Sequence, residues 1–436
     1  MSSIIPIELP RSKSIVIRCL IVNYLKTGIL LPVFDNDPND IKIVHNALKT
    51  IDLQITGEAD PCISPAGGGL RGWKKQADSL SAGFSDCPVI DVQDCGAAYR
   101  FLMALLAATP GKWLLSGTSR LLQRPILPLV NFLNAHGANI QKTTLGWHIE
   151  GAALQINDIE INTSETSQYV SALMMIKEEK EKGDGGTTAA EHGRTRRHEG
   201  TKARREEGDG RISPSNFEGV PEGRGSLYKN PYIKMTETIM RCMDVARNVH
   251  TLSDWSAALF WLANALLKPN AHYLLKNLHF DGLQGDAEVV PHFKQWGLHF
   301  TETEHGIEAK HTHNIEIPNQ KMDVAQMPDT AMILAVLAVC YPFELTMSGL
   351  KNINLKESKR LDILVDELSK FTTVKKHSED VITIYKRIEE LPNVFHFDSY
   401  NDHRFVMAWS LFKNFGTVNI KNPDCVKKSY PKFLNI

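Results

Sequence analysis

The chain repeats one supersecondary unit three times, and that repetition restricts its fold more than any single motif does. The unit is an amphipathic helix, a Gly or aromatic stop, and two short strands. It reads PILPLVNFLNAHGANIQKTTLGWHIEG at 125–151, AEVVPHFKQWGLHFTETEHGIEAK at 287–310 and RLDILVDELSKFTTVKKHSEDVITIYK at 360–386. In each, apolar residues recur at helical spacing up to the stop and then alternate, with TLG, EHG or SED marking the turn between the strands. Such a unit cannot bury its apolar face alone, so several α+β units must pack together. With 436 residues, 42% hydrophobic and 23% charged, the chain has apolar material for about two domains.

Lys and Arg number 49 against 50 Asp and Glu, a net charge of -1, so no overall field draws this chain to nucleic acid or to an anionic membrane. Anion binding must therefore come from local clusters. No apolar run reaches the roughly 18 residues of a membrane span and no signal-peptide pattern is present, so the expected location is cytoplasmic. The seven cysteines, Cys19, Cys62, Cys87, Cys95, Cys242, Cys340 and Cys425, are scattered and never spaced as CxxC. Neither a disulfide framework nor a zinc site is expected.

Two stretches interrupt the pattern. From Glu178 to Arg211 large apolar residues are almost missing, and a segment that cannot offset its ordering entropy by burial reads as a disordered surface insertion. Its RTRRHEGTKARR run interleaves acids and lacks aromatics, unlike a nucleic-acid patch. The glycine run in SPAGGGLRGWKKQADSLSAG lacks a Gly-Lys-Ser/Thr ending and a leading strand, so it reads as a flexible connection.

The chemistry gathers at helix starts, where free backbone N–H groups and the positive end of the macrodipole favour anions. Ser12 or Ser14 can cap the helix after PRSKS, with Lys13 beside it and Arg18 one turn on. Arg11 is expected to face solvent. DCGAAYRFL offers Gly96, where backbone can approach a ligand, and then Arg100; LLQRPILPL puts Arg124 before a proline at a first helical position. LKESKRLDIL spaces Lys356 and Arg360 as i and i+4 on one helical face with Glu357 between, and His403, Arg404 and Lys428 follow in NDHRFVMAW and CVKKSYPKF. Taken singly, each cation reads as solvated or ion-paired, Asp329 after Pro328 as a helix cap, Glu357 as a partner for Arg360, and His403 as structural. Together they describe a site for anions.

SKSIVIR, DCGAAYRFL, LLQRPI, TSQYVSALMM, NPYIKMT, SDWSAALFW, LQGD, MPDTAM, LKESKRL, NDHRFVMA and NPDCVKKSYPKF occur in that order between Ile7 and Phe433. In this the chain resembles the 5-enolpyruvylshikimate-3-phosphate synthase family. The resemblance implies an α/β (α+β) two-lobed enolpyruvyl transferase fold, each lobe made of three βαβαββ units around a pseudo-threefold axis. It implies an N-terminal lobe at 11–252, with the disordered insertion at 177–227, and a C-terminal lobe at 253–436 that also takes residues 1–10. It also implies transfer of the enolpyruvyl group of phosphoenolpyruvate to the 5-hydroxyl of shikimate 3-phosphate with release of phosphate. The agent would be a cytoplasmic monomer with small-molecule substrates, no metal, no organic cofactor, and no nucleic-acid or membrane partner.

By the same resemblance Ser14, Arg18, Thr166, Ser167, Tyr232, Asp329, Asn352 and Lys356 would hold shikimate 3-phosphate. Lys13, Gly96, Arg124, Gln168, Arg360, Arg404 and Lys428 would hold phosphoenolpyruvate. Lys13, Asp329 and Glu357 would do the acid/base work, with His403 in a lesser role.

The chain departs from the family pattern at Arg11, Ile17 and Ala97, where Gly, Asn and Thr are usual, and at Lys229 and Lys234, where Ser and Asp are common. In MRCMDVARNVHTLSDW a helix runs almost straight into the next lobe, so a strand pair is expected to be missing there. Two rival readings follow: an impaired relative that has lost part of one lobe, and a transferase acting on UDP-N-acetylglucosamine. Against the second, TPGKWLLSGTSRLLQRP lacks the cysteine such enzymes carry on a mobile loop.

Overall fold

The computed structural model describes residues 4–56, 87–177, 230–242, 252–312 and 315–435. The insertion expected at 177–227 lies outside them apart from Lys177, as do the glycine-rich connection and most of the expected strand-pair loss, at 243–251.

In chain order the first part carries β1 (Ile5–Ile7), α1 (Lys13–Thr27), α2 (Asn39–Thr56), β2 (Val89–Asp91), α3 (Gly96–Ala108), β3 (Gly111–Ser116), α4 (Ser119–Leu122), α5 (Leu127–Ala135), β4 (Asn139–Lys142), β5 (Trp147–Gly151), α6 (Gln168–Ile176) and α7 (Pro231–Arg241). The second part carries α8 (Trp255–Leu267), β6 (His272–Lys276), α9 (Val290–Gln295), β7 (Leu298–Thr303), β8 (Gly306–His311), β9 (Gln320–Asp323), α10 (Ala331–Cys340), β10 (Leu345–Ser348), α11 (Arg360–Leu368), β11 (Val374–Lys376), β12 (Ile382–Ile384), β13 (Val394–Asp398), α12 (His403–Trp409) and β14 (Thr417–Lys421).

The three repeats read from sequence each form a helix followed by a hairpin: α5 with β4 and β5, α9 with β7 and β8, α11 with β11 and β12. Each hairpin completes a four-stranded sheet of one plan, ordered β2-β3-β5-β4, β1-β6-β8-β7 and β9-β10-β12-β11. The first two strands of each are parallel, and a parallel pair needs a long crossover: α3 supplies it between β2 and β3, α10 between β9 and β10, and the whole first core followed by α8 lies between β1 and β6. The pair β13 and β14 repeats the parallel step alone, across α12.

Two of the repeated turns demand glycine. Gly146 and Gly306 sit at φ 149° and 137°, and a Cβ on either would fall 2.2 or 2.1 Å from the carbonyl oxygen of Leu115 or Leu275. The SED turn needs no glycine: the His377 amide donates to Val381 O at 2.9 Å and the Asp380 amide to Ser378 Oγ at 3.1 Å.

The helices sort by pattern. α10, AMILAVLAVC, is apolar on every face and buried at every position, as a helix at the centre of a core must be. α11 instead buries Leu361, Leu364 and Leu368 along one stripe. One core gathers residues from Ile15 to Leu252 with Leu283, and the other takes Ile7 and residues from Trp255 to Phe433. The chain crosses between them twice, and the crossings lie side by side: Arg11 bridges Ser253, the Ser12 amide donates to Leu252 O at 2.8 Å, and the Asp254 amide to Pro10 O at 3.0 Å. Gln284 ties both, its Oε1 accepting from Ser12 Oγ at 2.9 Å and from the Trp255 amide at 3.1 Å.

Four local features differ from what the sequence leads one to expect. Ser12 occupies the N-cap position of α1, yet its hydroxyl turns to Gln284 and makes no cap. Arg11 does not face solvent: it is 9% exposed, stacked 4.7 Å above the Phe34 ring, and its Nε donates to Asp37 at 2.6 Å. Pro125 does not open a helix, since α5 begins at Leu127 with Pro128 in its first turn. Lys356 and Arg360 do not share one either: Lys356 follows the 3-10 turn Ile353–Leu355, and α11 begins at Arg360.

Candidate active site

A cleft of about 630 Å³ opens where the starts of α1, α3, α6 and α7 face the segments 323–329 and 348–360. Every site residue expected from sequence lines it except Arg404 and Lys428, which stand behind it bonded to Asp329 and Glu357.

Arg18 forms the floor on the first-core side. It is 2% exposed, its Nε donates to Thr236 Oγ1 at 2.7 Å, its Nη1 to Ser14 O at 2.8 Å, and its guanidinium lies 4.9 Å above the Phe101 ring. Burial lowers its pKa to about 10, so it remains a cation at neutral pH, and among the described residues it has no carboxylate partner. A buried, uncompensated guanidinium is costly unless an anion completes it. Ser14, Thr166, Ser167 and Tyr232 line the cleft with it. Burial raises the Tyr232 phenol well above its ordinary value, so it stays a hydroxyl.

Across the cleft two carboxylates are held by cations. Arg360 Nη1 donates to Asp329 Oδ1 at 2.8 Å, Arg404 Nη2 to Asp329 Oδ2 at 2.9 Å, and Lys356 Nζ lies 4.0 Å away. Burial pushes the Asp329 carboxyl up, but Arg404, Lys356 and Arg360 outweigh it and keep it well below the usual carboxylate range. Glu357 meets Arg360 Nη2 at 3.0 Å, Lys428 Nζ at 3.2 Å and Arg124 Nη1 at 3.8 Å. Against the same burial, Lys428, Arg360 and Arg124 hold it well below its ordinary value. Asp329 is thus no helix cap, and Glu357 does more than pair with Arg360.

Lys13 lies between the two sides. Burial opposes its charge most strongly, yet Asp40 at 3.1 Å and Glu357 outweigh it and raise its pKa. It is an ammonium. At Gly96, the first residue of α3, an added Cβ would lie 2.4 Å from Arg124 Nη1, so the bare glycine is what lets that guanidinium into the cleft. Arg100 supports this corner from beneath, its Nη1 donating to Gly96 O and Gln168 Oε1 at 3.0 Å each and its Nη2 to Pro125 O at 2.9 Å.

His403 opens α12 and is 1% exposed, and among the described residues neither ring nitrogen has a hydrogen-bond partner. Burial, then Lys13 and Arg404, push its pKa well below the ordinary value, so the ring is neutral. It can exchange a hydrogen bond with a ligand but carries no charge to it.

The sequence model of EPSP synthase (3-phosphoshikimate 1-carboxyvinyltransferase) matches residues 8–193 and 243–436. The chain belongs to the EPSP synthase family. Among its relatives, the 3-phosphoshikimate 1-carboxyvinyltransferase of Bacteroides fragilis is 27% identical, over 98% of this chain and 93% of the relative. That of Haemophilus influenzae is 28% identical, over 98% and 94%. The solved EPSP synthase of Acinetobacter baumannii superposes with a TM-score of 0.59 at 18% identity, covering 99% of this chain and 94% of the other. At that identity the likeness speaks to the fold, which is the two-lobed arrangement expected. Among the described residues no helix is long and apolar enough to cross a membrane.

Sequence reading of this EPSP synthase family member missed the countercharges. Asp40 holds Lys13, Asp402 accepts from Arg360 Nε at 2.8 Å, and Asp94 accepts from Lys428 at 2.8 Å. Asp94 and Asp402 lie inside DCGAAYRFL and NDHRFVMA and were within reach; Asp40, in the first turn of α2, carried no signal beyond a helix-start acid.

Proposed function

We infer that this protein transfers the enolpyruvyl group of phosphoenolpyruvate to the 5-hydroxyl of shikimate 3-phosphate and releases phosphate. Family membership supports the reaction, and one observation carries the local assignment: Arg18, buried without a carboxylate, faces across the cleft a second cation cluster built around two ionised carboxylates. Two polyanionic substrates 4 Å apart would repel by about 4 kcal/mol per charge pair at an effective dielectric of 20. Cations on both walls offset that.

Arg18, Ser14, Thr166, Ser167, Tyr232, Asn352 and Lys356 take shikimate 3-phosphate, and Lys13, Gly96, Arg124, Gln168 and Arg360 take phosphoenolpyruvate, with Arg404 and Lys428 adding their charge from behind the cleft lining. In the addition step the 5-hydroxyl oxygen bonds to C2 of phosphoenolpyruvate while C3 gains a proton. Asp329, ionised and facing the cleft, receives the hydroxyl proton, and the Lys13 ammonium supplies the proton at C3. In the elimination step C3 loses a proton, the double bond re-forms, and the C2–O bond to phosphate breaks. Glu357 is the base. Surrounding cations stabilise the charge that develops, and neutral His403 contributes a hydrogen bond.

The two cores act as lobes divided at 11–252 and at 253–436 with 1–10. Metabolite substrates support a cytoplasmic site. A near-zero net charge supports a protein that acts without nucleic acid.

Phosphate release from both substrates, with Lys13→Met as control, tests the reading. Turnover in the parent, lost by at least about 100-fold in the variant at unchanged fold, is expected. A folded parent that releases no phosphate would refute the reaction, and an active variant would refute the role of Lys13.

A further inference from the structure

Arg120 does not line the cleft, yet it joins its two walls. It projects from α4, a turn fixed to the first core: Leu121 is buried there, the Thr118 amide donates to Gln93 O at 2.7 Å, and Thr118 Oγ1 accepts from the Leu121 amide at 3.3 Å. From that platform its guanidinium reaches three backbone carbonyls of the other core. Nε donates to Glu357 O at 3.2 Å, and Nη2 to Lys356 O at 3.2 Å and Asn354 O at 3.4 Å. These carbonyls lie at and just past the end of the 3-10 turn Ile353–Leu355, where helical turns leave acceptors unsatisfied. Arg120 has no carboxylate partner among the described residues.

Two of the three residues whose carbonyls it holds send their side chains the other way. Lys356 points to Asp329, and Glu357 to Arg360, Lys428 and Arg124. The Asn352 bond to Ser164 O and the Lys428 bond to Asp94 also span the cores, but both involve residues already assigned to substrate. Arg120 alone among these holds the 354–357 backbone without being placed to touch a ligand.

We propose that Arg120 is a positioning residue, a latch between the cores that sets the backbone of Lys356 and Glu357 so that the Glu357 carboxylate sits among its three cations. The proposal rests on the reaction inferred above. Its leverage is geometric, since a displacement of about 1 Å at a reacting group can cost on the order of 100-fold in rate.

The test uses the full chain with Arg120→Ala and Arg120→Lys. Amide hydrogen exchange at 353–359, measured without substrate, reads the latch itself: about tenfold faster exchange is expected in the alanine variant, and an intermediate effect in the lysine variant, which can reach one carbonyl but not three. Steady-state phosphate release reads the consequence. In the alanine variant kcat/KM falls roughly 10- to 100-fold, shikimate 3-phosphate affinity stays within about threefold, and the acid limb of the pH profile moves upward as Glu357 leaves its cations. Unchanged exchange, or lost rate with an unmoved acid limb, overturns the latch. A parent without turnover defeats the inferred reaction and leaves the exchange measurement to decide the latch.

Discussion

Gly96→Ala gives a quantitative test of the phosphoenolpyruvate corner. The new methyl would lie 2.4 Å from Arg124 Nη1, 2.7 Å from its Cζ and 2.8 Å from Nη2. Ordinary contact needs about 3.4 Å or more, so the guanidinium must retreat by roughly 1 Å. It can do so because it is the far end of a flexible side chain, and the three atoms nearest the methyl all belong to it. The helix start does not suffer: alanine is favoured over glycine by about 0.5–1 kcal/mol in helices, so Tm should hold or rise. The cost falls on the ligand. Losing one charge-assisted hydrogen bond costs about 1.5–3 kcal/mol, which converts to a KM for phosphoenolpyruvate raised roughly 10- to 150-fold. Shikimate 3-phosphate, assigned to Arg18 on the other side, should keep its KM within about twofold, because separated sites contribute independently. The assay is phosphate release with each substrate varied in turn, beside a thermal melt. An unchanged KM for phosphoenolpyruvate at unchanged Tm would mean that Arg124 does not bind that substrate where the structure puts it.

Two further outcomes concern stability. Burial and the neighbouring Asp329 push Asp286 up to about 7, far above an unfolded carboxyl near 3.9. Because the folded chain binds the extra proton, this group's contribution falls as pH rises from about 4 through 7. Asp286→Asn should therefore gain Tm over the parent increasingly between pH 5 and 8, and a gap independent of pH would contradict the burial argument. Arg11→Met would strand Asp37, itself 2% exposed, and should cost about 3–5 kcal/mol in denaturant unfolding, partly restored by adding Asp37→Asn. A loss below about 1 kcal/mol would show that the pair contributes little.

What could be read in advance was whatever sits in a local pattern. The hairpin units were legible because the apolar period changes from helical to alternating at a stop, and the cations were legible because they open helices. Partners distant in sequence were not. Nothing near Arg11 announces Asp37, 26 residues on, and nothing near Lys13 announces Asp40. The spacing of Lys356 and Arg360 suggested one helix, but Asn354 Oδ1 accepts from the Leu361 amide at 2.8 Å, a side-chain bond at the helix start that the i, i+4 pattern does not foretell. Arg120, immediately before the LLQRPI motif, carried no sign of the carbonyls it holds across the cleft.

The placement of β1 has a consequence for how the protein is made. Its residues pair with β6, and Glu8 just beyond it meets Lys276, 268 residues later in the chain. At about 5–20 residues per second a ribosome needs on the order of 15–50 s to deliver that partner. For that interval the opening strand is an unpaired edge, while the helices that follow it can already condense into the first core. The second core is finished by a segment older than all the rest of it, and the two side-by-side crossings at Arg11 and Ser253 record that return.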